Sequence, residues 1–272
     1  MFIDSHTHLD HCREEPAALV ADAAGAGVGL IIQSGIDLRR SERSVAMAES
    51  FPQVFATVGF HPQEAGLLTD AGRAGLETLV RHPRVVGVGE TGFDFYHDNW
   101  AHDVQEDAFV YQMDLARQAG LPIVIHTRDA ADRTLAVLGE HAMDLTVILH
   151  CFSLPDRLDE VVERGYYISF AGNVTYKNAL ELQAAAAAVP AGLLLLETDA
   201  PWLTPMPLRG RPNRPALVAA VYEFVAGLRG MEVGALAVQV EENVLRAFPR
   251  IGAARAAAAH AVPNAESGQG RS

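Results

Sequence analysis

Short runs of apolar and β-branched residues recur along the chain, each ending in polar or metal-capable residues and each followed by a stretch of helical character. They predict eight strands: Phe2 to His6, Val28 to Ser34, Val54 to Gly59, Val85 to Glu90, Pro122 to His126, Thr146 to His150, Tyr166 to Phe170 and Leu193 to Thr198. The amphipathic or alanine-rich segments between them predict helices over Pro16 to Ala24, Arg40 to Ser50, Asp70 to Arg81, Asp103 to Ala119, Ala130 to His141, Pro155 to Arg164 and Tyr176 to Ala188. Two more, Ala216 to Leu228 and Val233 to Phe248, close the series. Continuously apolar strands are buried on both faces, and parallel strands need crossovers of the kind these helices supply. Eight such units predict a single (β/α)8 barrel, a TIM barrel, over residues 1–251. An open doubly wound sheet is the competing arrangement, but no Gly-x-Gly-x-x-Gly turn follows the first strand. Residues 252–272 are expected to fray or to be disordered, with alanines that could add a turn or two to the last helix.

Composition narrows the class. A chain of 272 residues, 49% hydrophobic, can bury a large core, which excludes disorder as a whole. Its two cysteines, Cys12 and Cys151, form no Cys-x-x-Cys pair, so neither a disulfide framework nor a thiolate zinc site is expected and a reducing cytoplasm is. No apolar run is long enough to span a membrane, and the opening residues carry Asp4, His6 and His8 instead of a basic-then-apolar leader. The net charge of −13 offers phosphate backbones no long-range attraction, so any nucleic-acid chemistry needs local cations or bound metal.

The strand ends hold the residues that packing does not need: His6 and His8, His61, Glu90, His126, His150 and Asp199. Barrel enzymes build their sites at this C-terminal face, from several strands at once. His6 and His8, two apart, face the same side of a strand and can chelate one ion. Taken singly, each histidine could instead bond a backbone carbonyl and each acid could cap a helix. Together, four imidazoles (His6, His8, His126, His150) and two carboxylates (Glu90, Asp199) exceed one tetrahedral zinc and suit two divalent ions sharing a bridge. Imidazole nitrogen favours zinc, while carboxylate ligands keep manganese and magnesium compatible.

The segments Phe2 to Asp10 (FIDSHTHLD), Gly59 to Pro62 (GFHP), Gly89 to Tyr96 (GETGFDFY), Pro122 to Arg128 (PIVIHTR), Leu149 to Ser153 (LHCFS) and Leu196 to Trp202 (LETDAPW) resemble the TatD family of metal-dependent deoxyribonucleases. The resemblance spans Met1 to about Phe248. It implies an amidohydrolase-type barrel and a phosphodiesterase, often a 3′-5′ exonuclease, acting on the ends of single-stranded DNA or of RNA and suggesting DNA repair or degradation. Position by position, it implies that His6, His8 and Asp199 hold one ion, that His126 and His150 hold the other, and that Glu90 bridges them. His61 then touches substrate phosphate or supports the ligands, or serves only as a loop cap. Leu154 stands where the family has Gly, Phe93 and Phe95 replace Leu and Tyr, and Arg214 occupies a commonly acidic position.

Phosphodiester hydrolysis requires a nucleophile near neutral pH and cancellation of oxygen charge, both of which two metals can supply through an activated water. Asp199 is the expected general base and Glu90 the bridging catalytic carboxylate. Arg209, Arg211 and Asn213, after the eighth strand, are expected to hold phosphates, with Asn173 and Lys177 on the same edge; Arg128 is expected to pair with an acid. Phe60, Phe93, Phe95, Tyr96, Phe152 or Trp202 could stack on a base, although most aromatic residues are core. A monomer is expected. The competing functions are hydrolysis of an amide, a lactone or an aminoacyl ester, including aminoacyl-tRNA, and metal binding without turnover.

Overall fold

The structure, a computed structural model, describes residues 1–97 and 99–260, the last four without side chains. The apolar runs form eight strands: β1 Phe2–Thr7, β2 Val28–Ser34, β3 Val54–Val58, β4 Val85–Asp94, β5 Ile123–Arg128, β6 Val147–Leu149, β7 Tyr167–Phe170 and β8 Leu194–Leu196. Each pairs in parallel with the next in chain order, giving one eight-stranded sheet curled into a (β/α)8 barrel. Every residue of β3 and β4 is buried, as strands covered by helices on one side and filled by the barrel core on the other must be.

The outer ring consists of α1 Pro16–Gly25, α2 Leu38–Ser50, α3 Asp70–Leu79, α4 His102–Ala119, α5 Ala131–His141, α6 Leu158–Glu163, α7 Leu180–Ala188, α8 Val218–Arg229 and α9 Val233–Ala247. A further helix, α10 Pro249–His260, crosses the boundary expected at residue 251. Its alanines carry high helix propensity, Ala254 packs on the core, and Arg255 pairs with Glu241 of α9. The segment 252–260 is thus helical; the rest of the expected tail, 261–272, lies outside the described residues. Among the described residues no helix is long and apolar enough to cross a membrane.

The barrel closes without a β8–β1 ladder among the described pairings, and side chains and loops take over its work. At the lower end Ile3 N–H donates to the Tyr222 hydroxyl of α8 at 3.2 Å, and that hydroxyl donates to Ile3 O at 3.1 Å. At the upper end Asp199 N–H donates to His6 O (3.0 Å) and His8 N–H to Ala200 O (2.9 Å). Those two bonds fix the backbone of the first and last candidate ligands to each other.

Two ladders are irregular where chemistry is carried. Register shifts fall between Asp4 and Thr7 of β1 and between Val88 and Thr91 of β4, bracketing His6 and Glu90. Such breaks re-aim side chains near sites. On β4 they depend on Gly89 and Gly92, both at positive φ (139° and 135°). A Cβ at Gly89 would lie 2.6 Å from Val124 O, and one at Gly92 would collide with His126 O.

Candidate metal centre

The upper ends of β1, β4, β5, β6 and the segment after β8 deliver their polar side chains to one point. Glu90 stands at its middle, almost fully buried. Its Oε2 lies 3.3 Å from His6 Nε2 and 3.4 Å from His8 Nε2. Its Oε1 lies 2.8 Å from His150 Nε2 and 2.9 Å from His126 Nδ1. One carboxylate is thereby divided between two imidazole pairs. Asp199 completes the first side, with Oδ1 3.6 Å from His8 Nε2.

Converging acceptors repel unless something positive lies between them. His6 Nε2 and His8 Nε2 are 3.2 Å apart, and His150 Nε2 and His126 Nδ1 3.5 Å. Protons or cations must fill these gaps, since unpaired buried charge costs several kcal/mol per ion. Burial opposes charge on His8, but Asp199 and Glu90 pull its pKa up to about 10. Burial likewise opposes charge on His126 and His150, yet neighbouring carboxylates raise both. Burial would push the Glu90 carboxyl up, but His150, His61 and His126 hold it well below the usual carboxylate range. Borderline nitrogen donors around hard carboxylate oxygens fit divalent ions, and among the described residues three overlapping groups have mutually close ligand atoms: His6–His8–Asp199, His6–Glu90–His150 and His61–Glu90–His126.

Behind the candidate ligands stand two further carboxylates, Glu197 and Asp94. Glu197 Oε1 lies 3.3 Å from His150 Nδ1 and accepts Cys151 N–H at 2.9 Å. Asp94 Oδ2 lies 3.5 Å from His126 Nε2. Acids in such positions select the tautomer and orientation of a ligating imidazole. Asp94 lies four residues past Glu90 on β4, where alternation sends both to one side, and Glu197 lies just past the end of β8, two before Asp199. Asp4, two before His6, ties β1 to the last loop by accepting Thr198 N–H (2.8 Å) and the Thr198 hydroxyl (2.6 Å).

His61 caps a turn and faces Glu90. Its Nδ1 accepts Gln63 N–H at 3.1 Å, capping the turn Pro62–Leu67. Burial and the neighbouring His126 push its pKa down to about 3, so the ring is neutral with its hydrogen on Nε2. That N–H turns toward Glu90 Oε1 at 3.5 Å, a donor rather than a lone pair for a cation.

The other expected phosphate contacts are not at the site. Arg209 and Arg211 are exposed outside the cleft, the former with its guanidinium 4.4 Å over the Tyr176 ring. Asn213 is buried and donates to Thr198 O (2.9 Å) and Trp202 O (2.5 Å), stapling the loop after β8. The loop turns back on itself there, which is why proximity in sequence to Asp199 does not carry these side chains to it. The cations that do line the cleft, about 740 Å³ in volume, are Arg40 and Arg128. Arg40 bonds Asp37 at 2.8 Å, whereas Arg128, expected to pair with an acid, lies 3.9 Å over the Tyr96 ring. Asn173 lines the cleft as well, and Lys177 does not. Of the aromatic candidates Trp202 alone lines it; Phe60, Phe93 and Phe152 are core, and Phe95 stacks on His102. Leu154 is buried and does not narrow it.

A family model described as TatD related DNase matches residues 3–249. A Mycobacterium tuberculosis protein named as an uncharacterized metal-dependent hydrolase TatD is 41% identical over 256 residues, covering 90% of this chain and 97% of that one. A Klebsiella pneumoniae protein named 3′-5′ ssDNA/RNA exonuclease TatD is 36% identical over 237 residues, 85% of this chain and 90% of its own. The crystal structure of the TatD homolog YJJV from Escherichia coli superimposes with a TM-score of 0.86 at 32% identity, covering 91% of this chain and 98% of that one. Match length, identity and a shared barrel agree with the imidazole–carboxylate cluster, and the chain belongs to the TatD family of metal-dependent hydrolases.

Proposed function

We propose that this hydrolase is a 3′-5′ exonuclease that trims the ends of single-stranded DNA or RNA, with two divalent ions as its cofactor. The observation that carries this reading is the Glu90 carboxylate shared between two sets of imidazoles at the floor of a cleft. His6, His8 and Asp199 would hold one ion, His126 and His150 the other, and Glu90 both; the imidazole-rich set favours zinc. Ions so placed lower the pKa of water and offset charge on phosphate oxygens. Asp199, whose pKa burial would raise but His8 and His150 keep low, is ionised and able to take the proton of the attacking water at its carboxylate. His61 Nε2–H and the Arg128 guanidinium supply donors to phosphate oxygens, and the half-exposed Trp202 indole offers a face to a terminal base. The cleft's volume lies in the range of small-molecule sites, which suits a strand end rather than a length of duplex. The net charge of −13 agrees, since it disfavours tracking along a duplex.

The test is incubation of purified protein with end-labelled oligonucleotides and, in parallel, with amide, lactone and aminoacyl-ester substrates, with and without chelator. Stepwise loss of 3′ nucleotides, abolished by chelation and by Glu90→Gln or Asp199→Asn, is expected. Turnover of the carbonyl substrates alone would assign the centre to carbonyl chemistry, and turnover of none would make it a binding site.

A further inference from the structure

Two histidines that line the cleft, His11 and His97, hold no metal or phosphate in this reading, and His97 is the one bonded to a buried acid. β4 ends at Asp94, whose carboxylate is buried and heavily bonded. Its Oδ1 accepts the backbone N–H of Tyr96 and of His97, each at 3.0 Å. Its Oδ2 accepts Gln63 Nε2–H at 2.9 Å and pairs with His97 Nδ1 at 2.8 Å. The same oxygen lies 3.5 Å from Nε2 of the ligand His126. One acid therefore lies between the His126 ring, 3.5 Å away, and a second imidazole that it bonds directly. That second ring, His97, is 38% exposed, lines the cleft, and is held edge-on by Tyr96, on which Arg128 lies.

His97 Nδ1 lies 2.8 Å from Asp94 Oδ2 and 2.9 Å from Gln63 Nε2; with its hydrogen given to the carboxylate, the ring nitrogen left for the cleft is Nε2, and the ring is oriented by a buried partner. A carboxylate-oriented imidazole beside a reaction centre is the arrangement that gives and takes protons. We propose that His97 is the general acid of the exonuclease reaction, an inference that rests on the nuclease reading. As the water oxygen bonds to phosphorus and the P–O3′ bond breaks, the proton on His97 Nε2 passes to the departing O3′. The proton of the water goes to Asp199, and solvent exchange restores both groups.

The test is leaving-group dependence. Thymidine 5′-(p-nitrophenyl phosphate) puts p-nitrophenolate in place of the 3′-oxygen, a group that departs without a proton. Wild type, His97→Ala and His97→Asn are assayed on this ester and on end-labelled single-stranded DNA, and the metal content of each is measured. His97→Asn keeps an amide N–H for Asp94 and cannot transfer a proton. Loss of about 10²-fold or more in kcat on DNA is expected for both variants. Turnover of the ester and metal content should match wild type. Equal losses on both substrates, no loss on DNA, or loss of metal would overturn the proposal, the last by showing that His97 acts through Asp94 on His126. Wild type inactive on DNA would overturn the nuclease reading itself, and this proposal with it, so the two failures are separable.

Discussion

At the scale of single residues, the centre is defined by lone pairs that point at one another. His8, His126 and His150 all have pKa values raised from the ordinary 6.5, His8 to about 10, so at neutral pH the metal-free centre holds protons on nitrogens that a cation needs. The sign follows directly: metal must displace those protons, so affinity rises with pH between 6.5 and the raised values and falls on acidification. Calorimetry at pH 7 in two buffers of different ionisation enthalpy should register protons released on zinc binding; binding heats independent of buffer would contradict the assignment. Most of these residues were legible in sequence because strand-end position and two-residue spacing translate directly into convergence, as for His6 and His8. Asp94 and Glu197 were not, because an acid that orients a ligand occupies the same kind of position as one that merely caps a helix. The arginines failed for a different reason. Arg209 and Arg211 belong to a loop whose path is set by the buried Asn213 staple, and no periodicity encodes that path.

At the scale of elements, short apolar and β-branched runs marked all eight strands, because strands buried on both faces need no polar alternation. The differences lie at ends. β4 continues from Glu90 to Asp94, through glycines whose missing side chains let it approach β5. α7 starts at Leu180 instead of Tyr176, because residues 172–175 form a separate turn with the Thr175 hydroxyl donating to Gly172 O. The seam between β8 and β1 was invisible in sequence, since Tyr222 serves a strand 219 positions away. Tyr222→Phe keeps the ring that packs on Phe2 but leaves Ile3 N–H and C=O buried without this partner. A loss of about 1–3 kcal/mol is expected. Denaturant unfolding of the variant should show a lower midpoint with an unchanged slope, and an unchanged midpoint would mean that the seam is sealed by other contacts.

At the scale of the whole molecule, the barrel brings residues from position 6 to position 199 into one cage, and the cage rather than any segment is the functional unit. The chain carries a net charge of −13, and the cluster of imidazoles and carboxylates lies in a cleft with Arg128 on its wall, so bound cations would offset the negative charge at that point. If Glu90 joins two ion sites, the metal content of zinc-reconstituted protein after gel filtration will show it. About two ions per chain are expected for wild type and a marked loss from both sites for Glu90→Gln, whose neutral amide cannot bridge two cations. A single ion in wild type, or two retained by Glu90→Gln, would contradict a bridging role for Glu90.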